Sequence, residues 1–208
     1  MDTIFDTVFI LALDEEAGGL RETVAETLES VLAGAVLAEL ILRKRVELSE
    51  DRLVVTDPAP TEHLIMDRAL YEIHETTRPR KLRYWINTLV FEEYLEEIGH
   101  HLVVMGVLFR RKKRLYLALK DGESTGEKES IKDRIKSRLR EITLGDEQPE
   151  LSELVLLAFL YHADLLKIAF ERGERKKARK RIVKLIYDEY EVSILGETLD
   201  TMVTMSCK

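Results

Sequence analysis

The chain has 208 residues, of which 45% are hydrophobic and 34% are charged, and its formal net charge at pH 7 is -7. This length fits one domain, and a composition with only four prolines is typical of a helix-rich soluble protein and excludes a disordered or fibrous one. The net acidity argues against bulk nucleic-acid binding. We therefore expect a single, mainly α domain over residues 1–208.

The cysteine content and the length of the apolar runs indicate the cellular compartment and the kind of membrane contact to expect. The single cysteine, Cys207, excludes a disulfide framework and a cysteine-based metal site, so a reducing cytoplasm fits best. No apolar run reaches the roughly 18 residues of a membrane-spanning helix, and the first residues lack a basic region. We expect any membrane contact to be peripheral.

The first predicted elements lead into a buried helix. Residues 7–13 are a short apolar run followed by acidic residues and two glycines, which predicts a strand or an extended segment, and a helix is expected from about Leu20. Residues 31–46 are apolar on almost every side, which predicts the central core helix. Glu39 interrupts this apolar surface, so its carboxylate should be hydrogen bonded or protonated.

A hairpin and three helices are predicted next. Two β-rich tracts, 46–48 and 53–55, flank a polar stretch of four residues and predict a hairpin. Apolar residues at helical spacing then predict amphipathic helices at 64–73, 82–90 and 92–106.

The most unusual surface is a run of cations between two β-rich tracts. The tracts at 107–109 and 115–119 predict a second hairpin. Its tip would consist of Arg110, Arg111, Lys112, Lys113 and Arg114. These charges could bind an anionic partner, or they could only solubilise the turn and protect a strand edge.

The last third of the chain is predicted to be helical after a polar segment at 120–129. A helix carries Ile131 to Ile142, residues 151–170 form a second core helix, and a basic helix spans about 174–190. His162 and Asp164 are expected to be a buried, hydrogen-bonded pair. The basic helix is a second candidate anion surface, with a solvated helix face as the alternative.

Signatures of enzymes and metal sites are weak. On a helix, His100 and His101 point about 100° apart and cannot share a metal as an i, i+4 pair could. Residues 122–128 lack the spacing of a phosphate-binding loop, and there is no nucleophile elbow or zinc signature. We expect a non-enzymatic protein with no catalytic residues, no metal and no cofactor.

Three blocks of sequence resemble the Golgi phosphoprotein 3 family in order and spacing. They are LAGAVLAELILRKRVEL at 32–48, APTEHLIMDRAL at 59–70 followed by ETTRP at 75–79 and the pair Trp85 and Ile86, and MGVL at 105–108. Weaker similarity continues through 157–170. The resemblance implies a helical globule with a central bundle ringed by amphipathic helices and hairpins. It also implies a peripheral membrane protein that binds phosphatidylinositol 4-phosphate and sorts Golgi glycosyltransferases.

The positions implied for the family's headgroup site differ in this chain. The resemblance places a family tryptophan at Val24, an arginine at Ala33, and two further arginines near Glu92 and Leu95. None of these side chains donates hydrogen bonds to phosphate. We therefore expect a divergent or prokaryotic member, whose preference for phosphatidylinositol 4-phosphate is implied by the resemblance alone.

The resemblance also implies a role for the second hairpin in membrane insertion and self-association. Here it becomes residues 109–119, in which Phe109, Leu115 and Tyr116 flank the cations. Lysine or arginine near an anionic bilayer contributes about 1 kcal/mol each. Two hypotheses follow: a cytoplasmic, peripheral membrane protein that binds anionic phospholipid headgroups, or a soluble self-associating scaffold that has lost the lipid site.

Overall fold

A computed structural model of the chain describes residues 3–89, 92–112, 114–117, 119–121, 128–145 and 147–189. The protein is mainly α, as predicted, and its central element is the helix α2 (Ala25–Leu42). Every residue from 31 to 41 in this helix is buried. The prediction of a central core helix is confirmed, although the helix begins at Ala25, after a 3₁₀ turn, and ends before Val46.

The prediction of a strand at residues 7–13 is wrong, because most of these residues belong to the helix α1 (Ile4–Ala12). All residues of α1 are buried, so the helix has no solvent-exposed face. A short apolar run of this kind does not distinguish a strand from a buried helix. Thr3 caps the helix by accepting a hydrogen bond from the N–H of Asp6.

The expectation that Glu39 is hydrogen bonded is confirmed. Its Oε1 accepts a hydrogen bond of 2.8 Å from the N–H of Ile4, and its Oε2 accepts one of 3.2 Å from Nε of Arg43. The carboxylate thus satisfies a free N–H at the positive end of α1. This hydrogen bond joins the start of α1 to the central helix α2.

Short strands flank these helices. Strands β1 (Leu13–Asp14) and β2 (Gly19–Leu20) pair antiparallel directly after α1. The predicted first hairpin is confirmed as β3 (Val46–Ser49) and β4 (Arg52–Val55). Its turn contains two residues, Glu50 and Asp51, with φ of 47° and 67°. Left-handed backbone at both positions is typical of a type I′ turn.

The three predicted amphipathic helices are present. They are α3 (Leu64–His74), α4 (Leu82–Thr88) and α5 (Glu92–Val104), and the predicted residue Val90 lies outside the described residues. Helices α3 and α4 pack on α2, and α5 contacts α1 and α3. The α5 helix leads directly into the second predicted hairpin, residues 108–117, which we call the basic hairpin.

The basic hairpin is followed by another strand pair and a helix. Strands β5 (Leu108–Arg111) and β6 (Arg114–Leu117) confirm the predicted hairpin. In the predicted polar segment, β7 (Leu119–Asp121) pairs with β8 (Lys128–Ser130), and residues 122–127 lie outside the described residues. The predicted helix follows as α6 (Ile131–Leu144), begun by a capping box of Ser130 and Asp133.

The prediction of one helix over 151–170 is wrong in its continuity. Helix α7 (Leu151–His162) stops, Asp164 adopts a left-handed φ of 53°, and α8 (Leu166–Ala169) follows. The basic helix α9 (Arg175–Lys184) continues as a π-helical turn at Leu185–Glu189, and Tyr190 lies outside the described residues.

The expected buried pair of His162 and Asp164 is also wrong. The side chain of Asp164 is 85% exposed and accepts a hydrogen bond of 3.0 Å from Arg179. His162 is partly buried, and its Nε2 lies 3.3 Å from the hydroxyl of Tyr187. The break in the helix turns the two residues to different neighbours.

Lys132 is a fully buried lysine that links α6 to the β1–β2 turn. Its Nζ donates a hydrogen bond to the carbonyl of Leu13 and lies 3.3 Å from the carboxylate of Glu15. Burial lowers the pKa of Lys132, and this effect exceeds the opposite effect of Glu15.

We expect Lys132 to make the stability of the protein depend on alkaline pH. Between its lowered pKa and the ordinary value of 10.5, the unfolded state holds more protons than the folded state. The free energy of unfolding of the parent, relative to that of Lys132→Met, should therefore rise with pH in this window. Urea unfolding of both proteins in a series of alkaline buffers measures this, and a difference that does not change with pH would contradict it.

Candidate functional site

The basic hairpin consists of two short antiparallel strands with a buried base. Leu108 pairs with Leu117 at the base, and both are buried. Phe109 pairs with Tyr116, and their rings are stacked with centroids 5.5 Å apart. Phe109 is 47% exposed. The hairpin therefore presents an aromatic side chain to solvent beside its cations.

Contacts with the β1–β2 turn hold the hairpin against the body of the protein. The N–H of Leu115 donates a hydrogen bond of 3.2 Å to the carbonyl of Gly18, and Nη1 of Arg114 donates one of 2.9 Å to the carbonyl of Ala17. A Cβ atom at Gly18 would lie 2.3 Å from Cζ of Tyr116. The ring of Tyr116 thus occupies the space that a side chain at position 18 would need.

The cations of the hairpin differ in their surroundings. Arg110, Arg111 and Lys112 are exposed, and their side chains have no hydrogen-bond or ion-pair partner among the described residues. Arg114 is exposed but binds the carbonyl of Ala17. Lys113 lies outside the described residues. Within the described part of the hairpin, three neighbouring cations are therefore exposed to solvent, and their binding of an anion stays a prediction.

An acidic edge borders one side of these cations. Glu96, Glu97 and His100 on α5 line an open groove together with Arg110. Glu97 pairs with Arg68, whereas Glu96 is exposed. These carboxylates weaken the positive potential at Arg110 more than at Arg111 and Lys112, which do not line the groove.

The positions that the family resemblance assigns to a headgroup pocket line a different part of the surface. Ala33 and Leu95 both line a crevice between α2 and α5. Val24, which directly precedes α2, is buried but does not line this crevice. Among the described side chains that line the crevice, Glu29 is the only charged one. The side chain of Glu92 lies outside the described residues. The carboxylate of Glu29 would repel a phosphate, and none of the described side chains that line the crevice is cationic.

The second basic surface, on α9, is partly used for internal contacts. Nζ of Lys177 donates to the carbonyl of Leu144 at 2.8 Å, and Nε of Arg175 donates to the carbonyl of Phe170 at 3.0 Å. Arg179 pairs with Asp164. These cations satisfy carbonyl and carboxylate groups of neighbouring elements, which favours the interpretation of α9 as a solvated structural helix.

One further cluster was missed by the sequence analysis. Asp6, His63 and His101 lie on α1, before α3 and on α5, and their potential ligand atoms are all within 4.8 Å of one another. His100 instead faces the open groove, as expected from its position next to His101. No short spacing joins these three residues, so only the tertiary structure reveals the cluster.

Within the described residues, no helix combines the length and apolar character needed to cross a bilayer.

A protein-family model described as Golgi phosphoprotein 3 (GPP34) matches residues 4–204. The match covers nearly the whole chain, and it includes α1, the central helix α2, the basic hairpin and the C-terminal helices.

Proposed function

Because the chain belongs to the Golgi phosphoprotein 3 family, we propose that it is a peripheral membrane protein that binds anionic phospholipid headgroups through the basic hairpin. The family is Golgi-associated and is not a known enzyme family. The observation that carries the proposal is the group of three unpartnered cations, Arg110, Arg111 and Lys112, beside the exposed ring of Phe109. An adaptor role in sorting client proteins follows from the family resemblance.

The chemistry of the hairpin suits a phosphate-rich surface. Guanidinium groups bind phosphate oxygens with two parallel hydrogen bonds, and an exposed aromatic ring is well placed at a bilayer interface. Arg110 and Arg111 are adjacent on β5 and therefore point to opposite faces of the strand. The hairpin would lie with its tip at the headgroups, so that cations from both faces reach lipid phosphates.

Charge removal from the hairpin should weaken binding to anionic vesicles strongly. We expect the triple variant Arg110→Gln, Arg111→Gln, Lys112→Gln to lose about 3 kcal/mol of binding free energy, which is roughly a 100-fold loss of affinity. Co-sedimentation with neutral vesicles, vesicles of a generic anionic lipid, and vesicles with phosphatidylinositol 4-phosphate measures this at two salt concentrations. Binding of the parent protein should fall at the higher salt concentration.

A matched control separates local from total charge. Arg172, Lys176 and Lys180 are exposed cations on or near α9 with no partner among the described residues, and their replacement by Gln also removes three charges. This control should bind almost as well as the parent. Undiminished binding by the hairpin variant, or equal losses in both variants, would refute the hairpin as the docking surface. Selective, salt-resistant binding to phosphatidylinositol 4-phosphate would instead indicate a specific headgroup pocket, and it would contradict the positions that the resemblance assigns around Ala33 and Glu92.

A second candidate function is self-association of a soluble scaffold through the same hairpin. The exposed Phe109 lies on β5, which pairs with β6 alone among the described strands, and such an edge can pair with a second copy. Gel filtration without lipid, with and without residues 109–119, distinguishes the two functions. An oligomer that needs these residues, together with no binding to any vesicle, would favour the scaffold.

A further inference from the structure

A buried aspartate and two histidines meet where α1, the start of α3 and α5 come together. Asp6 lies in the first turn of α1, His63 immediately precedes α3, and His101 lies near the end of α5. The rings of His63 and His101 have centroids 4.2 Å apart. The rings of Phe5 and His63 are nearly perpendicular, with centroids 4.9 Å apart.

The polar side-chain atoms of Asp6 and His63 are buried, and several of them make no hydrogen bond. Asp6 is 4% exposed and His63 is 7% exposed. Oδ1 of Asp6 and both ring nitrogens of His63 make no hydrogen bond. Buried polar groups are normally hydrogen bonded, and a buried carboxylate needs a compensating charge. These oxygen and nitrogen atoms are potential metal ligands, and a bound cation would compensate the buried carboxylate.

The separation of the donor atoms fits one small metal ion. Oδ2 of Asp6 lies 3.4 Å from Nε2 of His63. Two ligands at the usual zinc distances, about 2.0 to 2.1 Å, are about 3.3 to 3.4 Å apart in a tetrahedral site. The ligand atom of His101 is within 4.8 Å of both, so a side-chain adjustment of about 1 to 2 Å completes the set.

The surroundings of Asp6 resemble the supporting shell of a metal site. The hydroxyl of Thr3 donates a hydrogen bond of 2.7 Å to Oδ2 of Asp6, which fixes the orientation of the carboxylate. His101 is only partly buried, so it offers a route from solvent to the buried ligands. Two imidazoles and one carboxylate suit zinc and its neighbours in the first transition row, rather than calcium or magnesium.

We infer that Asp6, His63 and His101 form a binding site for one divalent transition-metal ion, with Zn²⁺ as the best match. The three protein ligands leave a fourth position for water or another oxygen donor. Because the ligands come from three separate segments, the ion would bind the folded state and join α1 to α3 and α5. This inference does not depend on the proposed membrane function.

The test measures binding of Zn²⁺ to the full chain after treatment with a chelator. Titration calorimetry should show one ion per chain, and the midpoint of thermal unfolding should rise with Zn²⁺ concentration and fall again with chelator. Substitution of Co²⁺ should produce the visible absorption bands of a tetrahedral nitrogen and oxygen site. Loss of a supporting residue usually weakens metal binding roughly 10- to 100-fold, so loss of a ligand should weaken it at least roughly 100-fold.

The adjacent histidine provides the matched control. We expect His101→Asn and His63→Asn to lose at least roughly 100-fold in Zn²⁺ affinity, and His100→Asn to retain the affinity of the parent. His101→Asn keeps the test valid if His63→Asn fails to fold, because His101 is less buried. Absence of binding by the parent, or equal affinity in the parent and His101→Asn, would overturn the inference and leave a simple ion pair of His63 and Asp6.

Discussion

Replacement of Gly18 by alanine is expected to lower the free energy of unfolding by about 3 kcal/mol. Gly18 has a φ of 69°, a left-handed conformation that costs a residue with a Cβ atom about 1 to 2 kcal/mol. The new Cβ would also lie 2.3 Å from the ring of Tyr116, and overpacking of this kind costs about 1 to 3 kcal/mol. Tyr116 has little freedom to move, since it is stacked on Phe109.

Gly99 on α5 provides the matched comparison for this prediction. A Cβ there would approach Leu115 on the same hairpin at 2.7 Å, but the nearest atom is Cδ1, the end of a flexible side chain. Alanine also gains about 1 kcal/mol over glycine within a helix. Gly99→Ala should therefore change the free energy of unfolding by less than about 1 kcal/mol.

Urea unfolding of both variants and of the double variant Gly18→Ala, Tyr116→Ala separates the two causes. Removal of the Tyr116 ring should relieve the clash but not the backbone strain, so the two substitutions should not be additive. If Gly18→Ala and Gly99→Ala lower the free energy of unfolding equally, close packing of Tyr116 on the β1–β2 turn does not hold the basic hairpin in place.

Replacement of Glu39 by methionine is expected to lower the free energy of unfolding by about 3 kcal/mol. The substitution leaves the N–H of Ile4 buried without its acceptor, which costs about 1 to 3 kcal/mol. It also removes a negative charge from the N-terminus of α1, where a carboxylate contributes up to about 1 kcal/mol or somewhat more when buried. Arg43 adds little to this loss, because its side chain is 40% exposed and can be hydrated.

Glu39→Gln is the control for this second prediction. The amide oxygen can still accept the hydrogen bond from Ile4, so we expect a loss of only about 1 kcal/mol. Thermal and urea unfolding of the two variants measure the difference. If methionine is tolerated as well as glutamine, the carboxylate does not support the start of α1.

Helices with one buried face were predictable from the sequence, because their apolar residues recur at the helical period. The residues Ile65, Met66, Ala69, Leu70 and Ile73 form the buried face of α3, and the predicted and observed helices agree closely. The basic hairpin was also predictable, because two β-rich tracts bracket the cations. In each case the local pattern and the tertiary packing favour the same structure.

Elements buried on every side were harder to predict. In α1 no polar residue marks a solvent face, since even Asp6 and Thr7 are buried. The apolar run that follows them fits a buried strand as well as a buried helix. The break between α7 and α8 has no proline or glycine to mark it. Asp164 lies at the break, where it adopts a left-handed conformation and accepts a hydrogen bond from Arg179 of another helix.

Of the two candidate sites, one was predictable from the sequence and the other was not. Arg110 to Arg114 are contiguous, so a local pattern reveals them, although their role in lipid binding is still a prediction. The cluster of Asp6, His63 and His101 depends on three segments distant in the sequence. Adjacent histidines on a helix argued against a shared metal, and that argument holds for His100 but says nothing about partners on other elements.

The complete burial of α1 has a consequence for how the chain reaches its native state. Helix α1 contacts α2, α5, α6, α7 and α8, so most of its partners come much later in the chain. Lys132, for example, binds a carbonyl 119 residues earlier, at the end of α1. Contacts of such long range slow folding because a large loop must close before they form. A nascent chain that lacks α7 and α8 would leave apolar surface of α1 exposed to water, and such transiently exposed surface promotes aggregation before folding is complete.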